Sequence, residues 1–328
     1  MTTKQGNGVR SAACSCILCG LSKLTRAQIK AVFKLEVGFD LSTGQLAQST
    51  QNFVAPVPPA LPTKSNTVTL FGRQAFVGLS GGFGEVRFGR QYSAYDEARG
   101  GADMMEHTAF SATVGSANAW ENNGRAYAFR INNMWRYATP NFSGFTAAVG
   151  YGLGENKTPT TSAGGVLSMH LAYNNGPISA FFAHQQEKNP AGAPALSLTL
   201  ADGGIGINGT KETHTFLSGA YDLGVAKLRI GYNQSKDNGV GAANADKEFT
   251  FGVAAPLGPV SLAAEFATSK NNASKANSLG IQAKYNLSKR TFAYTGFTTG
   301  KLTTTPAAPA VGGNTKVQLI AVGIRHGF

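Results

Sequence analysis

RQAFVGLSGGFGEVRFGRQ (residues 73–91) decides how the rest of the chain is read. Two runs rich in β-branched and aromatic residues flank the glycine turn GGFG, which is the pattern of a β-hairpin. No clean strand follows. Residues 92–132 are glycine-rich and carry Asp96, Glu97, Asp103, Glu106 and Glu121, then Arg125 and Arg130. The strand pattern resumes as MWRYATP from Met134. A connection of this length inside a compact β protein is usually functional. Residues 92–132 are therefore expected to narrow a hole whose wall is built by the rest of the chain.

The same period of two runs outward in both directions. In IKAVFKLEVGF (residues 29–39), Ile29, Ala31, Phe33, Leu35, Val37 and Phe39 share one face, and Lys30, Lys34 and Glu36 share the other. Alternation of this kind marks strands. It recurs near 73–80, 84–91, 134–140, 144–152, 166–174, 177–186, 213–222, 225–234, 247–255, 259–269, 277–287, 291–299 and 316–328. That makes about fourteen strands, most of about eight to eleven residues, a length that suits a tilted strand crossing a bilayer. Phe249, Phe251 and Val253 oppose Glu248, Thr250 and Gly252. Leu228, Ile230 and Tyr232 oppose Lys227 and Arg229.

The connections sharpen this reading. Short turns fall at 81–84, 141–144, 174–177, 222–225, 256–259 and 286–289. Long connections fall near 40–71, 92–132, 153–165, 187–211, 235–246, 270–276 and 300–315. The two kinds alternate throughout. An up-and-down barrel with turns on one rim and loops on the other has this order, whereas a sandwich mixes hairpins with Greek-key crossovers. The expected fold is all-β: a transmembrane antiparallel up-and-down β-barrel, apolar outside and wet inside.

Composition is compatible with this fold. The chain has 328 residues, 41 of them glycine, and only 14% are charged. No apolar run is long enough for a transmembrane helix, but spanning strands average their hydropathy away. The net charge of +12 points to anionic partners: small anions or lipopolysaccharide. Nucleic acid is disfavoured, because the basic residues are dispersed and form no dense patch. Cys14, Cys16 and Cys19 lie in one short run with no second pair or nearby histidine, so no metal site is expected there. No cofactor motif is present: GYGLG (150–154) leads into no apolar helix pattern.

RQAFVGLSGGFGEVRFGRQ, RYATPNFSGFTAAVGYG and the terminal AVGIRHGF together resemble the general porins of Gram-negative bacteria, of the β-proteobacterial and neisserial type. The resemblance covers residues 31–328. It implies an outer-membrane barrel of sixteen strands, a homotrimer, and passive diffusion of small hydrophilic solutes. It also implies a third loop folded into the lumen, which 92–132 matches by position. Residues 41–70, with PVPPALP, match a second loop that latches onto a neighbouring subunit. Phe328, with Ile324, Val322 and Ile320 on its face, resembles the signal read by the outer-membrane assembly machinery. Residues 1–28 depart from the pattern: they show no alternation, make a poor signal peptide, and are expected to lie outside the barrel as a frame or start error. The barrel then spans 29–328, with 29–39 and 316–328 able to pair antiparallel.

A pore works by size and by the field at its narrowest point. Alternation puts Lys34, Arg87, Arg130 and Arg136 on the lumen side. Arg73 and Arg90 fall on the apolar parity but near strand ends, where a bulge can swing them inward and where the resembling family often places basic residues. Asp96, Glu97, Asp103 and Glu106 of the long loop are expected to face them, the arginines also tying loop to wall. The basic body predicts mild anion preference. Two rivals need other features. An enzyme barrel needs a serine–histidine or aspartate–histidine constellation, and His107, His170, His184, His214 and His326 are scattered. A non-conducting surface or adhesin barrel needs a plug or repeated loops, and neither is visible.

Overall fold

The computed structural model describes residues 13–24, 29–40, 46, 50–54, 63–67, 70–113, 127–154, 159, 163–188, 211–237, 245–271, 274–304 and 314–326. Two strands come before the loop hairpin: β1 (Ala13–Leu24) and β2 (Ile29–Asp40). The small hairpin β3 (Thr50–Val54) and β4 (Thr63–Thr67) lies inside the loop that follows β2. Next come β5 (Gln74–Gly81), β6 (Gly84–Tyr92), helix α1 (Ala94–Ala102), β7 (Arg130–Ala138) and β8 (Phe145–Leu153). The remaining strands are β9 (Gly165–Asn175), β10 (Ile178–Lys188), β11 (Lys211–Asp222), β12 (Lys227–Asp237), β13 (Ala245–Leu257), β14 (Val260–Lys270), β15 (Ser274–Asn286), β16 (Thr291–Thr304) and β17 (Asn314–His326). Fifteen of these form one sheet in strict chain order, every neighbouring pair antiparallel, and β3–β4 stands apart.

All fourteen expected strands are present, and β1 is a fifteenth. This corrects the expectation that residues 1–28 stand outside the sheet: Ala13–Leu24 pairs along its whole length with Asp40–Ile29. Ladder hydrogen bonds use backbone alone and do not require alternation, and an unpaired strand edge in lipid is costly. It follows that β2 has both edges taken, by β1 and β5, and the pairing of 29–39 with 316–328 that their directions permit is not formed.

The faces run opposite to those of a protein in water. Val77, Phe88, Ile230, Phe251, Phe266, Ile281 and Val322 are exposed, while Glu248, Glu265, Arg229, Gln282 and Ser269 are buried. Apolar side chains point outward and polar ones point to the interior, the arrangement of a barrel in a bilayer. No described helix is long and apolar enough to cross a membrane. Tight turns close the short rim, where Gly84 and Gly144 sit at φ of 105° and 95°, a region that side chains with a Cβ rarely occupy.

Candidate functional site

The long loop after β6 folds onto the inner wall. Its first part is α1, which the strand-centred reading did not resolve. Ser93 caps it by accepting the Asp96 N–H at 3.1 Å, and Asp96 and Glu97 lie in the first turn, where the helix dipole favours acid. This start signal is visible in the sequence as Ser-x-x-Asp. The helix packs against β8 to β11. Tyr95 donates its N–H to Ser168 Oγ at 2.9 Å and its hydroxyl to Asn233 Oδ1, and His170 meets the Ala94 carbonyl at 2.8 Å.

Beyond α1 the loop continues along β13 to β16. Thr108 donates to Gln282 Oε1, Ser111 donates to Glu265 Oε2 at 3.1 Å, and Glu106 pairs with Lys284. Wall glycines make room for it. A Cβ on Gly280 would lie 1.9 Å from the Phe110 carbonyl oxygen, and one on Gly252 would lie 2.9 Å from Met104. Phe110 and Met105, both fully buried, join Ala263 with Tyr294, Leu319 and Ala321 around them. The loop is thus seated against the wall, with its apolar residues in notches cut by glycines.

The stretch of wall from β2 to β7 carries the basic side chains. Arg87 on β6 and Arg136 on β7 are direct cross-strand partners. Like charges in that position are unfavourable unless each is compensated. Arg87 lies 2.6 Å from Glu85 and over the Phe76 ring, and Arg136 reaches Glu97 of α1 at 2.5 Å. On β2, Glu36 gathers Lys34 at 3.3 Å, Arg73 at 2.7 Å and the Gln74 amide at 2.8 Å. Tyr92 OH accepts from both Arg73 and Arg130, at 3.0 and 2.9 Å. The structure therefore brings Lys34, Arg73, Arg130 and Glu36 to one place and Arg87, Arg136 and Glu97 to another.

The register is irregular near Arg90 and Arg130. The ladder shifts between Gly89 and Gln91: Gly89 pairs with Met134, but Gln91 pairs with Ile131. The extra residue lies on β7, where Asn133 has φ of 47°. Arg130, beyond the bulge, is buried like Arg136, with its guanidinium over the Tyr92 and Phe129 rings. Arg90, at the same irregularity, donates to the Gly72 carbonyl at 2.6 Å and to Asn132 Oδ1. It stitches the loop rim.

The loop acids also serve more as anchors than as a facing ring. Asp103 accepts the N–H groups of Met105 and His107 at 3.0 and 2.7 Å and the Ser111 hydroxyl at 3.1 Å. Asp96 accepts the Tyr127 hydroxyl at 2.7 Å, and burial pushes its carboxyl above the usual range against the pull of His107, Tyr127 and the nearby arginines. Arg99 and Arg229, both fully buried, were not singled out from sequence. Arg99 sits 3.4 Å from Glu248 and donates to the Thr113 carbonyl at 2.9 Å, while Arg229 meets Glu265 at 2.5 Å. The alternation that put Arg229 and Glu248 on the polar face was the available signal. Phe328 and residues 114–126, including Glu121 and Arg125, lie outside the described residues, as does most of the 41–70 latch.

A sheet oily outside and polar inside, with one long loop laid against its inner face, defines a membrane-spanning channel. The comparisons name the kind. Residues 25–305 match the Gram-negative porin family, and the chain belongs to it. It is 32% identical over 282 residues to outer membrane porin protein 32 of Delftia acidovorans, covering 79% of this chain and 74% of that one. An outer-membrane porin of Bordetella pertussis is 29% identical over 224 residues, which is 65% of this chain and half the length of that relative. Among solved structures, the anion-selective porin from Comamonas acidovorans superposes with a TM-score of 0.69 at 27% identity, covering 98% of this chain and 91% of that one. The protein is an outer-membrane pore for passive diffusion of small hydrophilic solutes and ions, and its family is one of channels.

Proposed function

We propose that this pore mildly favours anions, and that the strip of wall from β2 to β7 sets the preference. The observation that carries this is the cross-strand pair Arg87–Arg136, with Lys34, Arg73 and Arg130 close by on the same side of the sheet. The loop packs mainly on β8 to β16 and meets this strip through the Glu97–Arg136 pair. Arginine stays charged at every working pH and meets carboxylate or phosphate with a planar fork. The anion selectivity of the Comamonas structure and the body charge point the same way. Reversal potentials across a salt gradient in planar bilayers test the reading: the sign for anion preference is expected, and clear cation preference overturns it.

The assembled form is a homotrimer, as one of the solved barrels of this fold is described. Lipopolysaccharide meets the basic body of the barrel, and the assembly machinery reads β17 together with the terminal Phe328. A trimer that dissociates only on heating before electrophoresis, and that conducts, separates this reading from a non-conducting surface barrel.

A further inference from the structure

We propose that Glu187, Glu212 and His214 form a divalent transition-metal site of the zinc class, set in the inner wall beside the descending end of the constriction loop. The three side chains are fully or almost fully buried, and their ligand atoms lie within 4.8 Å of one another. The hairpin places them there. Glu187 of β10 is the direct partner of Glu212 on β11, and His214 lies two residues further along the same face, opposite Gln185. Two carboxylates directly opposite each other in a buried face repel strongly unless a cation lies between them.

The distances indicate which cation. His214 Nε2 is 3.5 Å from Glu187 Oε1 and 3.7 Å from Glu212 Oε1. A hydrogen bond from a protonated imidazole to a carboxylate would close to about 2.7–2.9 Å. Ligand atoms held 2.0–2.2 Å from a tetrahedral metal stand about 3.3–3.6 Å apart. The observed spacing is longer than a closed hydrogen bond and leaves room for an ion among the groups. Among the described residues, His214 Nε2 and Glu187 Oε2 have no hydrogen-bond partner. Both are donor atoms suited to a metal.

The surrounding groups hold these ligands in place. His214 Nδ1 contacts Ser235 Oγ, its cross-strand partner on β12, which leaves Nε2 to face the carboxylates. Glu187 Oε1 accepts the Ala128 N–H at 2.8 Å and the Gln185 amide at 2.7 Å. Outer partners of this kind fix ring orientation and raise ligand basicity. The Tyr95 and Tyr127 rings, with centroids 5.8 and 5.9 Å from the imidazole, close the pocket. One imidazole with two carboxylates suits zinc, cobalt or manganese, whereas calcium and magnesium prefer all-oxygen shells. Because Ala128 lies where the loop rejoins the wall, an ion bound here fastens the loop to β10–β12.

The test uses the folded wild-type protein, stripped with a chelator and refolded with Co2+ or Zn2+. The expected result is about one cobalt per chain with a ligand-field absorption band, displaced by Zn2+. Zinc raises the thermal midpoint of the wild type and of the control His184→Gln, and leaves that of His214→Gln unchanged. If His214→Gln does not reach the heat-modifiable folded form, Glu212→Gln replaces it, and X-ray absorption of the zinc-loaded wild type reads the imidazole directly. Folded wild type that retains no stoichiometric cobalt, a zinc shell without imidazole, or undiminished binding in the variants overturns the proposal.

Discussion

At the scale of single residues, charges inside this barrel divide into those that set the field and those that hold the loop, and substitution distinguishes them. Arg87 is about a quarter exposed to the bore and its carboxylate partner Glu85 is on its own strand. Arg87→Gln is expected to leave the trimer's heat stability unchanged and to lower the anion-to-cation permeability ratio. One unit charge at about 4 Å in a water-like bore contributes ~1 kcal/mol, so the ratio falls by at most about fivefold, read from the reversal potential. Arg229 belongs to the other group. It is fully buried, meets Glu265, and receives further support from Ser218 Oγ at 3.0 Å. Arg229→Met strands the Glu265 carboxylate and is expected to cost about 3–5 kcal/mol, seen as a lower urea midpoint of the folded barrel. The double substitution Arg229→Met with Glu265→Leu recovers much of that loss, because the unpaired charge is gone.

At the scale of elements, the decisive contact is between loop and wall, and it rests on the absence of side chains. Gly280 allows the Phe110 carbonyl to approach the wall so closely that a Cβ there would sit 1.9 Å away. Backbone atoms on both sides leave nothing flexible to yield. Gly280→Val is therefore expected to lift residues 103–113 from β15, giving a changed single-channel conductance with increased open-channel noise. A conductance trace identical to the wild type would show that the loop does not set the bore. Ser93→Ala removes the N-cap of α1 at a cost of about 1 kcal/mol, and is expected to increase noise without moving the mean conductance. These elements also show how far sequence reaches. The wall was legible, because alternation and turn spacing are local properties, and Glu248 and Arg229 fell on the face they were read to occupy. The loop was legible in position, but α1 was passed over despite Ser93 and Asp96, since nine residues in a glycine-rich stretch show little apolar periodicity. The surroundings of Arg90 and Arg130 were not legible for one reason: a single extra residue on β7 shifts the register, and a bulge leaves no strong mark in composition. The Glu187–Glu212–His214 cluster was not legible, because it depends on a cross-strand register between segments separated by a long loop.

At the scale of the whole molecule, the claim is that lipid, and not water, is the solvent on the outside of the wall, and one substitution separates the two. Ile230 and Phe251 are direct cross-strand partners near the middle of β12 and β13, 66% and 50% exposed. In a protein surrounded by water, a lysine at such a position changes stability by no more than about 0.5 kcal/mol. In a barrel crossing a bilayer, the same lysine near the midplane is expected to cost about 2–4 kcal/mol. Ile230→Lys should therefore lower the urea midpoint of protein folded into lipid vesicles, and the penalty should shrink for Leu228→Lys, one step closer to the short-turn rim. Arg229, between them, is charged, buried and paired on the inner face. A wall that accepts arginine at one position and rejects lysine at the next has opposite environments on its two sides, which is what a channel through a membrane requires. If Ile230→Lys folds with unchanged stability in vesicles, the outward apolar face is not in contact with lipid, and the barrel's placement in the membrane fails with it.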